Sequence, residues 1–362
     1  MVDMSSLEIG IVGLPNVGKS TLFNALTKNN ALAANYPFAT IEPNVGIVAV
    51  PDPRLSKLAE LYNTQNIIPA SIKFIDIAGL VEGASKGDGM GNKFLSHVRE
   101  CSVICQVVRA FEDSNVIHVN DTNNPKKDID IINTELVLSD LDTLERRVAS
   151  SSKLAKSDPK IQPILDEYKK ALDYLENNTP LFDTENIDFE LLKDLNLLTA
   201  KKVIYIFNVD ESTLQDKTKQ ESLKSLVSNH LVVFINAQLE HELNSLSAEE
   251  SKELLESYGQ KESGLEQLIT QSYKALGLQS FLTAGPKEVR SWTIKKGSTA
   301  PQAAGVIHTD FEKGFIAAQV VSYQDLIDNG SIANAKEKGL VRTEGRTYIM
   351  KPDDVVEFRF NN

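Results

Sequence analysis

The sequence predicts an α/β protein built around a mostly parallel sheet that carries a phosphate-binding loop. Residues 13–20 match the phosphate-loop template GxxxxGK[ST] between an apolar strand and a helix. Residues 137–175 repeat apolar side chains four and three apart, as helical hairpins do, and short alternating strands follow near the carboxyl end. We therefore predict a nucleotide-binding domain over residues 1–133 and 197–278, a helical coiled-coil insertion over residues 134–196, and a smaller strand-rich domain over residues 279–362.

The length and the net charge of the chain limit the number of domains and the classes of partner. The chain has 362 residues, 41% of them hydrophobic, which is enough for about two or three domains with real cores. Its net charge of −12 argues against a protein that coats nucleic acid non-specifically, and we expect no DNA partner. The acidic excess is uneven, because residues 279–362 hold 11 Lys and Arg against 10 Asp and Glu. Any RNA contact is therefore expected near the carboxyl end.

Cysteine usage and hydropathy indicate a reducing compartment. Cys101 and Cys105 are the only cysteines, and the sequence shows neither a run of about 18 apolar residues nor an apolar N-terminal signal. We expect a cytoplasmic protein without a membrane partner. A zinc site formed by His97 and the two cysteines is not expected, because the strand-like run around Cys105 turns its side chain away from the other two.

The phosphate loop predicts where a nucleoside triphosphate binds. Its glycines let successive backbone N–H groups point inward at the positive end of a helix, which forms a nest for the α- and β-phosphates. Lys19 is expected to reach the β- and γ-phosphate oxygens, and the Ser20 hydroxyl is expected to ligate Mg²⁺. The predicted phosphate-binding residues are Asn16, Val17, Gly18, Lys19, Ser20 and Thr21.

Two later segments have the order and spacing of a nucleotide switch. Thr40, in a proline-punctuated segment before a strand, is the candidate second Mg²⁺ ligand, with a plain surface threonine as the alternative. Asp76 and Gly79 form Asp-x-x-Gly after an apolar strand, so the carboxylate can hold the waters around Mg²⁺ and the Gly79 amide can meet the γ-phosphate. Leu80 stands where Ras-type switches have the water-orienting glutamine, so hydrolysis should be slow or assisted.

The residues expected at the purine differ from those of a guanine-selective switch. Where such a switch has Asn-Lys-x-Asp, this chain has Asn208, Val209 and, in place of the aspartate, Glu211. The added methylene displaces the carboxylate by about 1.5 Å from the guanine donors, so guanine preference should be weakened or lost. Asn236, after the next strand, is a plausible partner for adenine N6 or N7, and a capping asparagine is an equal alternative.

These motifs together resemble the YchF or Obg-like ATPase family. The similar segments span nearly the whole chain and comprise residues 13–27, 37–44, 76–81, 83–87, 208–211 and 304–315. The resemblance implies a Ras-like P-loop domain and an ATP-preferring, Mg²⁺-dependent hydrolase that lacks the catalytic glutamine. It also implies association with the ribosome, through the large subunit or ribosomal RNA.

The resemblance adds two expectations about the site. Family members carry a histidine in a mobile loop that is suspected of promoting hydrolysis, and His118 matches its position; an ordinary packed side chain is the alternative. Asn16 resembles the position that admits an activating K⁺ in related switches. The predicted catalytic residues are therefore Lys19, Thr40, Asp76, Gly79 and His118.

The other two parts of the chain are expected to bind rather than to catalyse. The helical hairpin, turned at residues 157–159, is either a structural arm or a docking surface for RNA or protein. Residues 279–362 resemble the β-grasp TGS domain, and within them residues 304–315 are expected to form a turn and a strand. The expected function is an ATPase. Two alternatives stay open: a nucleotide-gated ribosome- or RNA-binding module in which turnover is incidental, and a GTPase with relaxed base specificity.

Overall fold

The computed structural model describes residues 7–28, 44–77, 90–111, 124–227 and 230–361. Its strands are β1 (Glu8–Gly13), β2 (Val45–Ala49), β3 (Ile67–Ile68), β4 (Ser71–Asp76), β5 (Val103–Ala110), β6 (Lys202–Val209), β7 (Leu231–Ile235), β8 (Leu278–Ala284), β9 (Val289–Lys295), β10 (Phe315–Ser322), β11 (Arg342–Glu344) and β12 (Asp354–Phe360). Its helices are α1 (Lys19–Lys28), α2 (Arg54–Tyr62), α3 (Met90–Glu100), α4 (Pro125–Leu154), α5 (Gln162–Glu176), α6 (Phe189–Leu192), α7 (Glu211–Gln215), α8 (Lys217–Lys224), α9 (Ala237–Leu243), α10 (Ala248–Ser257), α11 (Gly264–Ala275), α12 (Ala300–Ile307), α13 (Thr309–Lys313), α14 (Tyr323–Asn329) and α15 (Ile332–Glu337). None of the helices in these ranges is both long and apolar enough to cross a membrane.

The first sheet has the strand order β2-β4-β1-β5-β6-β7. β1 lies between β4 and β5 and pairs with both in parallel, and β6 pairs in parallel with β5 and β7. The central strands are buried almost throughout, as expected for a parallel sheet covered on both faces. Because parallel strands end at one edge, the loops after β1, β4, β5, β6 and β7 are available for one site there.

A helical hairpin interrupts this domain, as predicted, but it begins earlier than expected. α4 begins at Pro125 rather than at residue 134, because Asn124 caps it by accepting from the Lys127 amide at 3.1 Å. α4 and α5 pack through a buried apolar cluster that includes Leu144 and Leu175. The long helix therefore extends back into the sequence assigned to the nucleotide-binding domain.

A buried carboxylate fastens the helical hairpin to the chain before β6. Asp140 of α4 is fully buried and accepts from the amides of Leu198 and Thr199, at 2.9 and 2.7 Å, and from the Thr199 hydroxyl at 2.8 Å. Burial raises the pKa of the Asp140 carboxyl, and these three donors oppose that effect. A polar group in this position is stable only because all of these donors converge on it.

The second sheet has the order β11-β10-β12-β8-β9-β3. β10 pairs antiparallel with β11 and β12, β8 pairs antiparallel with β9, and parallel pairs join β12 to β8 and β3 to β9. Neighbouring residues of one strand belong to different apolar clusters: Phe281 and Val320 to one, Leu282 and Val321 to the other. Because side chains alternate along a strand, these two clusters cover opposite faces of the sheet.

Two features of this second part differ from the sequence predictions. Residues 47–72 form one compact unit with residues 269–362, although the sequence analysis assigned them to the nucleotide-binding domain. The cause is that β3 extends the second sheet and that Leu55 and Leu58 of α2 complete one of its cores. Residues 304–315 form the end of α12 and then α13, with only Phe315 in a strand, so the predicted turn and strand are mostly helical.

Candidate nucleotide-binding site

The phosphate loop joins β1 to α1 through two residues with left-handed backbone angles. Asn16 has a φ of 63° and Gly18 a φ of 94°, a region that asparagine tolerates and glycine favours. A Cβ at Gly18 would overlap the side-chain amide nitrogen of Asn208, so no larger residue fits. Leu14 and Val17 are buried and hold the loop against the sheet. The chain thus forms the backbone cradle that the sequence predicts.

Asn208 at the end of β6 connects this loop to the loop after β7. Its Nδ2 donates to the Val17 carbonyl at 3.1 Å, and its Oδ1 accepts from the Ala237 amide at 3.4 Å. The side chain is only 7% exposed, so both contacts lie out of water. Sequence analysis placed Asn208 at the base; the hydrogen bonds show that it also braces the phosphate loop. An asparagine at the end of a buried strand next to a phosphate loop is the signal for this second role.

Lys19 and Asp76 lie together at the mouth of the cradle. The Lys19 ammonium and the Asp76 carboxylate form an ion pair, with side chains that are 11% and 15% exposed. The pairing of β1 with β4 brings them together, because Asp76 is level with Ile11, near the end of β1. Two predicted site residues that are far apart in sequence therefore lie together. A bound phosphate would replace the Asp76 carboxylate as the partner of the Lys19 ammonium.

The first turn of α1 offers the hydroxyl expected at a metal ion. Ser20 and Thr21 are exposed at the start of this helix, directly after Lys19. A serine hydroxyl, a nearby carboxylate and phosphate oxygens are the hard oxygen ligands that Mg²⁺ prefers. The residues present therefore fit Mg²⁺ at this point, where Ser20 would be the protein ligand and Asp76 would lie beside the ion.

A cavity of about 990 Å³ extends from the phosphate loop to the loops after β6 and β7. It is bordered by the predicted residues Asn16, Gly18, Thr21, Asn208, Val209, Glu211 and Asn236. Val209 is 2% exposed, so its apolar side chain lies in the core, and its carbonyl accepts from Asn236. Glu211 is exposed in the first turn of α7. The predicted base-side residues and the phosphate loop therefore share one cavity.

Asn236 caps α9, which is one of the two roles that the sequence allowed for it. Its Oδ1 accepts from the Leu239 amide at 2.8 Å and so caps α9, while its Nδ2 donates to the Val209 carbonyl at 2.9 Å. The side chain is 8% exposed. The hydrogen bonds therefore favour a residue that fixes the two base-side loops to each other over one that reads the base directly.

Three residues at the cavity were not found by sequence reasoning. Gln238 and His241 border it from α9, three residues apart and hence on one helix face, and Phe111 borders it just after β5. The Arg109 guanidinium lies over the Phe111 ring, 4.5 Å from its centre, in a cation–π contact. Two features of the sequence could have indicated these residues: the helical spacing of Gln238 and His241 after β7, and the position of Phe111 directly after a buried strand.

Glu240 fixes α9 from the side opposite the cavity. It is 3% exposed, and its Oε1 accepts from the Gly264 amide at 2.7 Å and from the Leu265 amide at 3.3 Å, at the start of α11. Burial raises the pKa of the Glu240 carboxyl to about 7, and these amide donors oppose that effect. The helix that carries Gln238 and His241 is therefore held by a buried acid at its other face.

Thr40, Gly79, Leu80 and His118 lie outside the described residues. Their expected roles at the metal, the γ-phosphate and the attacking water stay predictions. Of the two cysteines, both are buried, and Cys101 donates its thiol to the His97 carbonyl at 3.3 Å. Burial raises the pKa of the Cys101 thiol to about 12, which makes it a poor metal ligand or nucleophile.

Comparisons with known proteins decide the family. Residues 8–139 match the model MMR_HSR1, described as 50S ribosome-binding GTPase, and residues 278–361 match YchF-GTPase_C, described as a protein of unknown function. The ribosome-binding ATPase YchF of Bacillus subtilis is 49% identical to the chain, over 98% of this chain and 100% of that protein. This chain belongs to the YchF family.

Further members agree with this assignment. The ribosome-binding ATPase YchF of Escherichia coli O157:H7 is 48% identical over 98% of the chain and 99% of its own length. The solved structure of the YchF GTPase of Schizosaccharomyces pombe has a TM-score of 0.87 at 38% identity and covers 98% of both chains. The predicted family and the predicted α/β P-loop fold with a helical insertion and a second sheet are therefore confirmed.

Proposed function

We propose that this YchF family member binds ATP with Mg²⁺, hydrolyses it slowly to ADP and phosphate, and associates with the ribosome through the large subunit or its RNA. The names of its relatives support the reaction and the partner, since full-length relatives are called ribosome-binding ATPases. The observation that carries the proposal is the shared cavity: an intact phosphate cradle continues into a base-side pocket without the lysine and aspartate of a guanine switch.

The preference for ATP follows from the chemistry of that base-side pocket. Guanine presents two donors, N1–H and the exocyclic amine, which the aspartate of guanine switches accepts together. Here Glu211 carries a longer side chain on the exposed first turn of a helix, and Val209 turns its side chain into the core. Adenine presents an acceptor at N1 and a donor at N6, which backbone groups near Val209 can satisfy.

Each residue of the site has a separate role in the proposed hydrolysis. Lys19 and the amides of residues 16–21 hold the phosphates, and Ser20 and Thr40 supply oxygens to Mg²⁺, which neutralises phosphate charge when bound. Asp76 holds the waters of that ion, and the Gly79 amide meets the γ-phosphate. His118 promotes attack by water in place of the missing glutamine. Asn16 would help to hold K⁺, which would supply a further positive charge.

A nucleotide-gated binding module is the second candidate, and Leu80 is the observation that favours it. A leucine side chain neither donates nor accepts a hydrogen bond, so it cannot orient water. Single-turnover hydrolysis with and without ribosomes distinguishes the two functions. Turnover at ordinary enzyme rates without ribosomes eliminates the module, whereas turnover that stays negligible with ribosomes eliminates the ATPase. His118→Ala should reduce the rate without weakening ATP binding.

Base preference and metal dependence are tested separately. Competition binding with Mg²⁺ should show ATP at least about tenfold tighter than GTP, and Glu211→Asp should narrow that ratio. Asp216→Asn removes a carboxylate outside the cavity while its side-chain oxygen can still cap α8, so it serves as the control and should leave the ratio unchanged. GTP binding more tightly than ATP contradicts the proposed base preference. Equal hydrolysis in K⁺ and Na⁺ buffers removes the K⁺ site.

A further inference from the structure

The turn end of the helical hairpin is basic, whereas the rest of the hairpin is acidic. We call residues 147–163, which include the turn between α4 and α5, the hairpin tip, and residues 125–146 and 164–176 the hairpin stem. The stem holds five Lys and Arg against ten Asp and Glu, and the tip holds four against one. Surfaces that need only solubility intersperse the two signs. A basic end on an acidic arm, in a chain whose net charge is −12, therefore indicates an anionic partner at the tip.

The positive charges of the hairpin tip are exposed and unpaired. They belong to Arg147, Lys153, Lys156 and Lys160, whose side chains all face water. Among the described residues, no carboxylate forms an ion pair with any of the four, whereas Arg146, at the end of the stem, is paired with Asp142. The one acid of the tip, Asp158, accepts from the Lys160 amide at 3.0 Å and so caps the turn. These four cations are therefore available to a partner.

The hairpin tip also lies apart from the packed core of the hairpin. The apolar cluster between α4 and α5 ends at Val148 and Ile164, and it includes no residue between them. From Asp140, which fastens the hairpin, α4 continues to Leu154, a length of about 21 Å. The turn is closed by its own backbone, since the Asp158 amide donates to the Leu154 carbonyl at 2.9 Å. The cations are thus presented on a self-supporting end of the hairpin.

The composition of the tip indicates which polyanion it fits. Single-stranded RNA is recognised largely by stacking of its bases on aromatic side chains, whereas double-helical RNA is recognised by its shape and its backbone. Residues 147–163 include no aromatic side chain, and only small ones, residues 149–152, lie between Arg147 and Lys153. Lysine acts on phosphate as a point charge without sequence preference. The tip is therefore suited to the phosphates of an RNA helix rather than to bases.

We propose that the hairpin tip docks end-on onto the phosphate backbone of double-helical RNA. Arg147, Lys153, Lys156 and Lys160 contact the phosphates, and the acidic stem keeps the rest of the hairpin away from them. The inference rests on the proposed association with the ribosome, and it assigns the contact with ribosomal RNA to these residues. Binding through this contact depends steeply on salt and little on RNA sequence.

The salt dependence of RNA binding by the full chain tests this assignment. The variant Lys153→Gln/Lys156→Gln/Lys160→Gln is compared with the unmodified chain by filter binding to protein-free large-subunit RNA over a KCl series. Each lost phosphate contact lowers the slope of log K against log[KCl] by about 0.7–0.9. The triple variant should therefore lower the slope by about 2–3 and weaken binding at least about tenfold at about 100 mM KCl. Arg147→Gln alone should lower the slope by about 0.7–0.9.

A control variant with the same change in net charge separates the tip from general electrostatics. Lys217→Gln/Lys219→Gln/Lys224→Gln removes three exposed lysines of α8 and should keep the original slope. All variants should keep their helical circular dichroism, because every substituted side chain is exposed. An unchanged slope in the tip variant, or an equal loss in the α8 variant, overturns the proposal.

Two further probes identify the class of partner. An RNA duplex of about 20 base pairs should compete with large-subunit RNA, and a single strand of the same length should compete at least about tenfold more weakly. Isolated large ribosomal subunits should show the same loss with the tip variant. A tip variant that loses binding to subunits but binds protein-free RNA normally would contact a ribosomal protein, which overturns the proposal.

The same measurements separate this inference from the proposed ribosome association. If the unmodified chain binds large subunits and the tip variant binds them equally well, the association stands and the tip assignment fails. If the chain binds RNA through the tip but does not bind subunits, the association fails and the tip assignment stands.

Discussion

Asn208 gives the sharpest test of how the nucleotide site is held together. Replacing it with alanine removes the hydrogen bond to the Val17 carbonyl and the one from the Ala237 amide, at 3.1 and 3.4 Å. Each bond is worth about 0.5–1.5 kcal/mol, so Asn208→Ala should weaken ligand binding by about 1–3 kcal/mol, or roughly 5- to 150-fold in Kd. Asn208→Asp should be at least as damaging, because it sets a carboxylate oxygen against the Val17 carbonyl.

The choice of ligand separates bracing of the loop from contact with the base. If Asn208 acts through the phosphate loop, titration calorimetry with Mg²⁺ should show similar losses for ATP, GTP and inorganic tripolyphosphate. If it acts on the purine, tripolyphosphate binding should be unaffected. Asn177→Ala at the exposed end of α5 is the control for an ordinary asparagine. Unchanged tripolyphosphate binding in Asn208→Ala, with the fold intact by circular dichroism, refutes the bracing role.

Three further outcomes follow from groups described above. Gly18→Ala should abolish measurable ATP binding and lower the thermal midpoint, because a Cβ overlaps the buried Asn208 amide that braces the loop; tight ATP binding in this variant contradicts the cradle geometry. Asp140→Ala should lower the free energy of unfolding by about 2–4 kcal/mol in urea, since the buried Leu198 and Thr199 amides lose their acceptor. Burial raises the pKa of the Glu240 carboxyl from its ordinary value of 4.5 to about 7, so the folded chain holds this proton more tightly than the unfolded chain does. The stabilising effect of that proton is lost as pH rises from about 4.5 through about 7. Glu240→Gln keeps the accepting oxygen and should raise stability at pH 8 by about 2–3 kcal/mol, with little effect at pH 4; an equal gain at both pH values excludes ionisation as the cause.

The sequence predicts the conformation of the phosphate loop well, because local chemistry determines it. Glycines, a lysine and a hydroxyl at fixed spacing leave few other conformations, and the structure places Gly18, Lys19 and Ser20 as expected. Asp76 was also located correctly, because an acid at the end of a buried parallel strand lies at the edge where such sites form. These features need only neighbouring residues and the direction of a strand.

The features that sequence analysis missed depend on long-range contacts. The apolar alternation around β3 and the amphipathic α2 predict their type but not the sheet that they join, so residues 47–72 were assigned to the wrong unit. The same limit applies to Asn236, whose capping bond and whose bond to Val209 are both invisible in the linear order. Similarly, Phe111 and His241 border the cavity only because separate strands end side by side.

Residues 47–72 form one unit with residues 269–362, which affects how the chain folds during translation. Leu55 and Leu58 leave the ribosome early, but the strands and helices that bury them are synthesised only after residue 269. During translation these leucines must stay exposed, or sheltered by a chaperone, while the intervening chain is made. A truncation before residue 279 would make that exposure permanent, so such a fragment should aggregate even though its phosphate loop is complete.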